Sequence, residues 1–98
     1  MLAKDKNIAF DRVVDLLEAD PDDLFKTALI EERPEANFQS VALKRLQGDS
    51  WDKLAVEFRV AGTALQVFYR NCLQEFKPHF KKYLSLDNGW KQQLVNLT

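Results

Sequence analysis

Ninety-eight residues suffice for one domain with a single core, burying roughly two-thirds of the unfolded chain's surface. Hydrophobic residues are 46% and charged residues 30%, a globular usage that argues against wholesale disorder. One cysteine, Cys72, excludes an internal disulfide framework and a multi-cysteine zinc site, and one histidine, His79, excludes a histidine-rich metal cluster.

No apolar run approaches ~18 residues, so no transmembrane span is expected. The first twenty residues scatter charges through their apolar positions, unlike a signal peptide, and the expected compartment is the cytoplasm. The net charge of −1 hides an asymmetry. Residues 1–36 carry five Lys/Arg against ten Asp/Glu, and residues 37–98 carry nine against five. Two readings stay open: two faces with different partners, or two halves that attract each other inside one fold.

Three glycines and three prolines punctuate the chain, and no stretch alternates cleanly with period two, so the expected fold is all-α with five or six helices. The first helix should run from about Asn7 to Ala19, with Phe10, Val13, Val14 and Leu17 forming one apolar stripe. Asp20-Pro21-Asp22-Asp23 reads as a helix start: an acidic cap, a proline at the first helical position and carboxylates at the positive dipole end. The second helix should then reach Ile30, burying Leu24, Phe25, Ala28 and Leu29, with Pro34 ending any helix that reaches Glu32. Asn37 should cap a third helix running to Gln47, its stripe Phe38, Val41, Ala42 and Leu46, with Gly48 as the left-handed stop.

Asp49 or Ser50 should cap a short fourth helix, Trp51 to Phe58. After a turn over 59–62, a fifth helix should start at Gly62 or Thr63 and reach about Phe76, with Leu65, Phe68, Cys72, Leu73 and Phe76 as its apolar line. Pro78 either kinks this helix or opens a sixth one, whose stripe continues through Phe80, Tyr83 and Leu84. Asp87-Asn88-Gly89 should break the chain before a tail holding Trp90. The expected organisation is an acidic helical pair over 1–36, a DNA-binding unit over 37–86 and a tail over 87–98, packed as one domain.

The apolar positions Trp51, Leu54, Ala55, Phe58, Val60, Leu65, Phe68 and Cys72 have the spacing that a helix-turn-helix needs. Ala55 is small where two helices would cross closely, and Val60 would plug the turn into the core. The run Leu46 to Phe58, the turn Arg59-Val60-Ala61-Gly62-Thr63-Ala64-Leu65, and Phe68 with Cys72-Leu73 together resemble region 4 of bacterial sigma factors and related helix-turn-helix regulators. The resemblance covers roughly 40 residues and rests mostly on hydrophobic spacing. It implies a transcription regulator that binds double-stranded DNA, with RNA polymerase or another regulator as a further partner. Two departures stand out. The family usually has Gly or Asn where Arg59 stands, and a left-handed Arg costs about 1 kcal/mol against Gly. The family's Ser or Thr cap is replaced by Ala61 and Gly62, leaving Thr63 to cap one turn later.

In this reading Thr63, Ala64, Gln66, Val67, Arg70, Asn71 and Gln74 point away from the core. Gln66, Arg70 and Asn71 supply donors and acceptors for base edges, and Ala64 and Val67 suit a thymine methyl. Arg59, Lys77, Lys81, Lys82 and Lys91, with His79, would serve phosphates. The alternative is a helix-turn-helix repurposed for protein binding or self-association, with Ala64 and Val67 in a dry contact. Cys72 falls in a core stripe and is expected to be a buried structural thiol, and His79 a surface residue. Asp20, Asp22 and Asp23 lack the remaining ligands of a calcium loop. With no nucleophile–base pair, phosphate loop or metal set in view, a non-enzymatic protein without a cofactor is expected.

Overall fold

The computed structural model describes residues 8–33 and 35–84. Its elements are α1 (Ile8–Ala19), α2 (Phe38–Leu46), α3 (Trp51–Phe58), α4 (Gly62–Glu75) and α5 (Lys77–Leu84). No strand is present among the described residues, and the all-α expectation holds. Pro34 and the tail with Trp90 and Lys91, for which expectations were stated above, lie outside the described residues.

Helix α1 buries Val13, Leu16 and Leu17, so its inward face is rotated from the expected stripe, and Val14 is only half-buried. The C-terminal carbonyls of α1 are met from α2, where the Gln39 amide donates to Leu17 O at 2.7 Å. Such a cross-helix bond satisfies acceptors that a helix end leaves open. The caps of the next two helices follow the sequence. Asn37 Oδ1 accepts from Ser40 N at 2.8 Å and Ser50 Oγ from Lys53 N at 3.1 Å. Gly48, at φ 103°, turns the chain between them.

The second expected helix is absent. Residues 20–33 and 35–37 form turns and irregular structure instead, and the reason lies in Asp20. Its backbone is left-handed (φ 44°), its side chain is buried, and its carboxylate gathers three amides. Oδ1 accepts from Leu24 N and Phe25 N, and Oδ2 from Lys26 N, all at 3.0 Å. Those donors would otherwise enter a helical ladder; a short acidic side chain competes with the backbone for them. Further on, Glu31 and Glu32 both take positive φ, and Arg33 N donates to Ile30 O at 3.0 Å, a type I′ turn. An antiparallel bridge between Leu29 and Asn37 closes the loop. Leu24 and Leu29, expected inside, are consequently exposed, and of the expected apolar set only Phe25 is fully buried.

Phe25 therefore enters the core from a turn. It stacks on Phe80 (centroids 5.5 Å apart) and meets Phe38 at 5.6 Å and Phe76 at 5.4 Å. Phe38 in turn packs on Tyr69 at 5.5 Å and on Phe76 at 5.3 Å. In α4 the buried line is Leu65, Tyr69 and Cys72, continued by Phe76 at the helix end, while Phe68, expected as an anchor, is only half-buried. Leu65, Cys72 and Phe76 are thus buried as expected, and Tyr69 takes the place of Phe68 as the large side chain that fills the inward face. Pro78 opens a separate helix: it is the second residue of α5, where the missing N–H is not needed.

Two stability predictions follow from this packing. Tyr69→Ala should cost about 3–5 kcal/mol, while Phe68→Ala should cost less than about 2 kcal/mol; urea unfolding of the two variants checks the order. Asp20→Ala strands three amides, one of them fully buried, and should cost about 2–4 kcal/mol, with Asp20→Asn milder because one oxygen is retained.

Candidate nucleic-acid interface

Helix α3 ends on Arg59, whose backbone is left-handed at φ 58° and ψ 44°. The non-glycine turn residue is thus accommodated at the cost noted above. The Ala55 carbonyl takes bonds from the N–H groups of both Arg59 and Val60 and so closes the helix end. Val60 is buried and ties the turn to the core. Ala61 precedes α4 in extended geometry without any side-chain cap, and Thr63 is the second residue of α4 rather than its cap. A Cβ placed on Gly62 would lie 3.9 Å from the Ala55 Cβ, so the small residue at 55 marks a close approach of α3 and α4.

With Leu65, Tyr69 and Cys72 inward, the opposite side of α4 is fixed by the helical period. Thr63, Gln66, Val67, Arg70 and Asn71 are all exposed there, and Gln74 extends the row; Ala64 is half-buried at its edge. Arg59 is exposed at the leading end of this helix. Lys77 and Lys81, one turn apart, are exposed on α5, as is Lys82. Lys82 Nζ lies 5.2 Å from the centre of the Tyr83 ring. The candidate residues therefore fall into two groups: a continuous face on α4 with Arg59, and a separate basic helix.

Behind α4, polar contacts lock the supporting helices. Lys44 of α2 and Glu57 of α3 form an ion pair at 2.9 Å, and the Arg45 guanidinium lies 4.8 Å over the Trp51 ring while donating to Asp49 O. Trp51 also meets Tyr69 edge-on at 5.6 Å, so it is a half-buried support of the pair α3–α4.

His79 is not a surface residue. Its ring is enclosed, edge-on to Phe25 at 5.3 Å and against Tyr83 at 4.8 Å. Nδ1 lies 3.1 Å from Asp22 Oδ2, which also accepts from the Tyr83 hydroxyl at 3.4 Å. This clasp fastens the loop to α5. Nothing in residue spacing announced it, because Asp22 and His79 are brought together only when Phe25 enters the core. Among the described residues, no group of three or more His, Cys, Asp or Glu side chains is placed to hold a metal ion, and no helix is long and apolar enough to cross a membrane.

Cys72 is buried, and burial pushes its thiol from 9.0 up to about 12, with the Glu75 carboxylate adding to the shift. The thiol stays protonated at neutral pH and is unsuited to nucleophilic chemistry. Burial likewise raises the Tyr69 hydroxyl, against the opposing pull of the Arg45 charge.

Searches of protein-family models, of curated proteins and of solved structures find no match to this chain.

The Cys72 shift has a consequence for stability. The folded chain keeps a thiol proton that the unfolded chain releases above its ordinary value of 9.0, so this contribution is intact below pH 9.0 and is lost as pH rises toward about 12. Urea midpoints taken from about pH 8 to about pH 11 should decline, and Cys72→Ala should make the decline shallower.

Proposed function

We propose that α3, the Arg59 turn and α4 act as a helix-turn-helix of the sigma region 4 type, and that the chain is a DNA-binding transcription regulator. The observation that supports this most directly is the face of α4. Five exposed side chains, Thr63, Gln66, Val67, Arg70 and Asn71, line one side of a helix whose other side is locked by Leu65, Tyr69 and Cys72. A rigid helix with a free polar face is what the major groove of duplex DNA admits.

In this reading α4 lies in the groove. Arg70 donates to guanine, Gln66 and Asn71 pair with adenine edges, and Val67 packs on a thymine methyl. Thr63, in the first turn of α4, contacts the backbone where the helix enters. Arg59, Lys77, Lys81 and Lys82 hold phosphates, which set affinity and register without reading sequence. The acidic α1 and the loop over 20–35 repel the polyanion, so only one side of the molecule can approach it.

Binding to duplex DNA measured against salt tests this. With about four phosphate contacts, log Kd against log salt should have a slope of about 3–4 in magnitude. Arg70→Ala should weaken binding to a preferred site by about 1–3 kcal/mol and shift stability by less than about 0.5 kcal/mol. A salt slope near zero would remove DNA as the partner.

A further inference from the structure

We infer that residues 8–30 form an arm that two copies of this chain can exchange, pivoting at the turn from Ile30 to Arg33, so that the protein has a domain-swapped dimer as a second state. The inference does not depend on the DNA reading.

Arm and body are each held together by their own contacts. Within the arm, Asp20 N donates to Leu16 O at 2.8 Å, and the Asp20 carboxylate gathers the amides of Leu24, Phe25 and Lys26. Helix α1 and the segment after it are therefore knotted into one unit. Within the body, Phe38 packs on Tyr69, Trp51 meets Tyr69, and Lys44 pairs with Glu57, which ties α2, α3 and α4 together. Phe76 and Phe80 lie between α4 and α5, and Phe80 N donates to Phe76 O at 2.9 Å. The chain passes from arm to body once, through the turn after Ile30.

The contacts across that boundary all join a group of the arm to a group of the body. Phe25 meets Phe38, Phe76 and Phe80, and Asp22 meets His79 and Tyr83. The Gln39 amide donates to Leu17 O. Ile30 N donates to Ala36 O at 3.0 Å and Phe38 N to Ala28 O at 2.9 Å. A second copy carries the same groups, so its arm makes every one of these contacts without any new complementarity. Only the turn differs between the closed monomer and the exchanged pair.

That turn is poorly matched to its sequence. Glu31 (φ 52°) and Glu32 (φ 60°) are both left-handed, in a turn type that Asn-Gly fits and paired glutamates do not. Arg33 reaches Glu31 at 3.8 Å and Glu35 at 3.9 Å, but these ion pairs are long and exposed and hold the turn weakly. Opening it lets both glutamates take extended backbone. Short strained hinges favour exchange for this reason. An opened single chain would leave Phe25 and the rings of Phe38, Phe76 and Phe80 in water. Their burial is regained when the arm of a second copy takes the vacated place, and the exchange is reciprocal, so the dimer is closed and two-fold.

The test starts from the full chain, unfolded in urea and refolded at low and at high protein concentration, with products separated by size-exclusion chromatography and their masses taken by sedimentation. High concentration should give a dimer that reverts slowly on dilution, because each arm must leave a packed core. Glu31→Asn combined with Glu32→Gly fits the turn and should lower the dimer association constant at least about tenfold, since two hinges lose their strain per dimer. Glu31→Gln with Glu32→Gln removes the same charges but keeps side chains that resist left-handed backbone, and should dimerise like the parent. A dimer refolded from a mixture of isotope-labelled and unlabelled chains should show isotope-filtered NMR contacts between the Phe25 ring of one copy and the Phe80 ring of the other.

A parent that refolds only to monomer at every concentration overturns the exchange. So does a dimer in which the Phe25–Phe80 contact stays within one copy, which marks a surface association instead. A dimer that the Asn-Gly replacement leaves as strong as the parent, or that the double glutamine replacement also abolishes, overturns the strained turn as its cause.

Discussion

The meeting of Phe25 with Phe38, Phe76 and Phe80 is the contact on which the rest of the molecule depends. Phe38 opens α2, Phe76 ends α4 and Phe80 lies in α5, so one side chain from a turn region joins three helices. Aromatic rings combine large buried area with defined edge-on and stacked geometries, and they hold angles as well as distances. From Phe38 the packing passes to Tyr69 and then to Trp51, which is how the orientation of α4 is tied to α2 and α3. The outward face of α4 is a consequence of this inward chain: once Tyr69 is fixed beneath Phe38, the residues opposite it have only solvent to face.

That arrangement requires Phe25 to arrive from the correct direction, and the acidic segment around it provides the direction. A helix over 20–30 would have carried Leu24 and Leu29 inward together with Phe25. Asp20 prevents this by taking the amides of Leu24, Phe25 and Lys26 on one buried carboxylate. Four non-glycine residues in the segment adopt left-handed backbone, a strain that the surrounding packing must offset. The same geometry leaves carboxylates and two leucines on the surface, so one local choice decides both the core and the acidic patch. Exposed acids gather on α1 and the loop, while α3, the turn and α4 mix Arg59 and Arg70 with Asp52, Glu57 and Glu75.

Much of the helical framework was legible from residue spacing. Asn37 acts as a cap and Gly48 as the stop as expected, and the structure selects Ser50 over Asp49 as the cap of α3 and a new helix over a kink at Pro78; capping and proline chemistry are local, so the spacing narrowed each to two choices. The close approach at Ala55, the buried Val60 and the left-handed Arg59 were equally readable, since each is a steric consequence of turning a chain between two helices. The five candidate residues on α4 also fall where the 3.6-residue period puts them. Choosing between Phe68 and Tyr69 as the buried ring was beyond that period, for both lie within the same half of the helix and only the position of Phe38 selects one.

What the sequence by itself determined is thus the set of helices with local start and stop chemistry, the α3–turn–α4 spacing and the charge asymmetry of its two halves. Tertiary structure alone decided the fate of residues 20–33 and 35–37, the choice of Tyr69 over Phe68 as the buried ring, the enclosure of His79 and the exposure of Val56 and the two leucines. The physical reason is the range of the forces concerned. Caps, prolines and periodicity act within a turn or two of chain, whereas the carboxylate of Asp20 competes with helix formation successfully only because burying Phe25 among rings from α2, α4 and α5 stabilises the turn it makes.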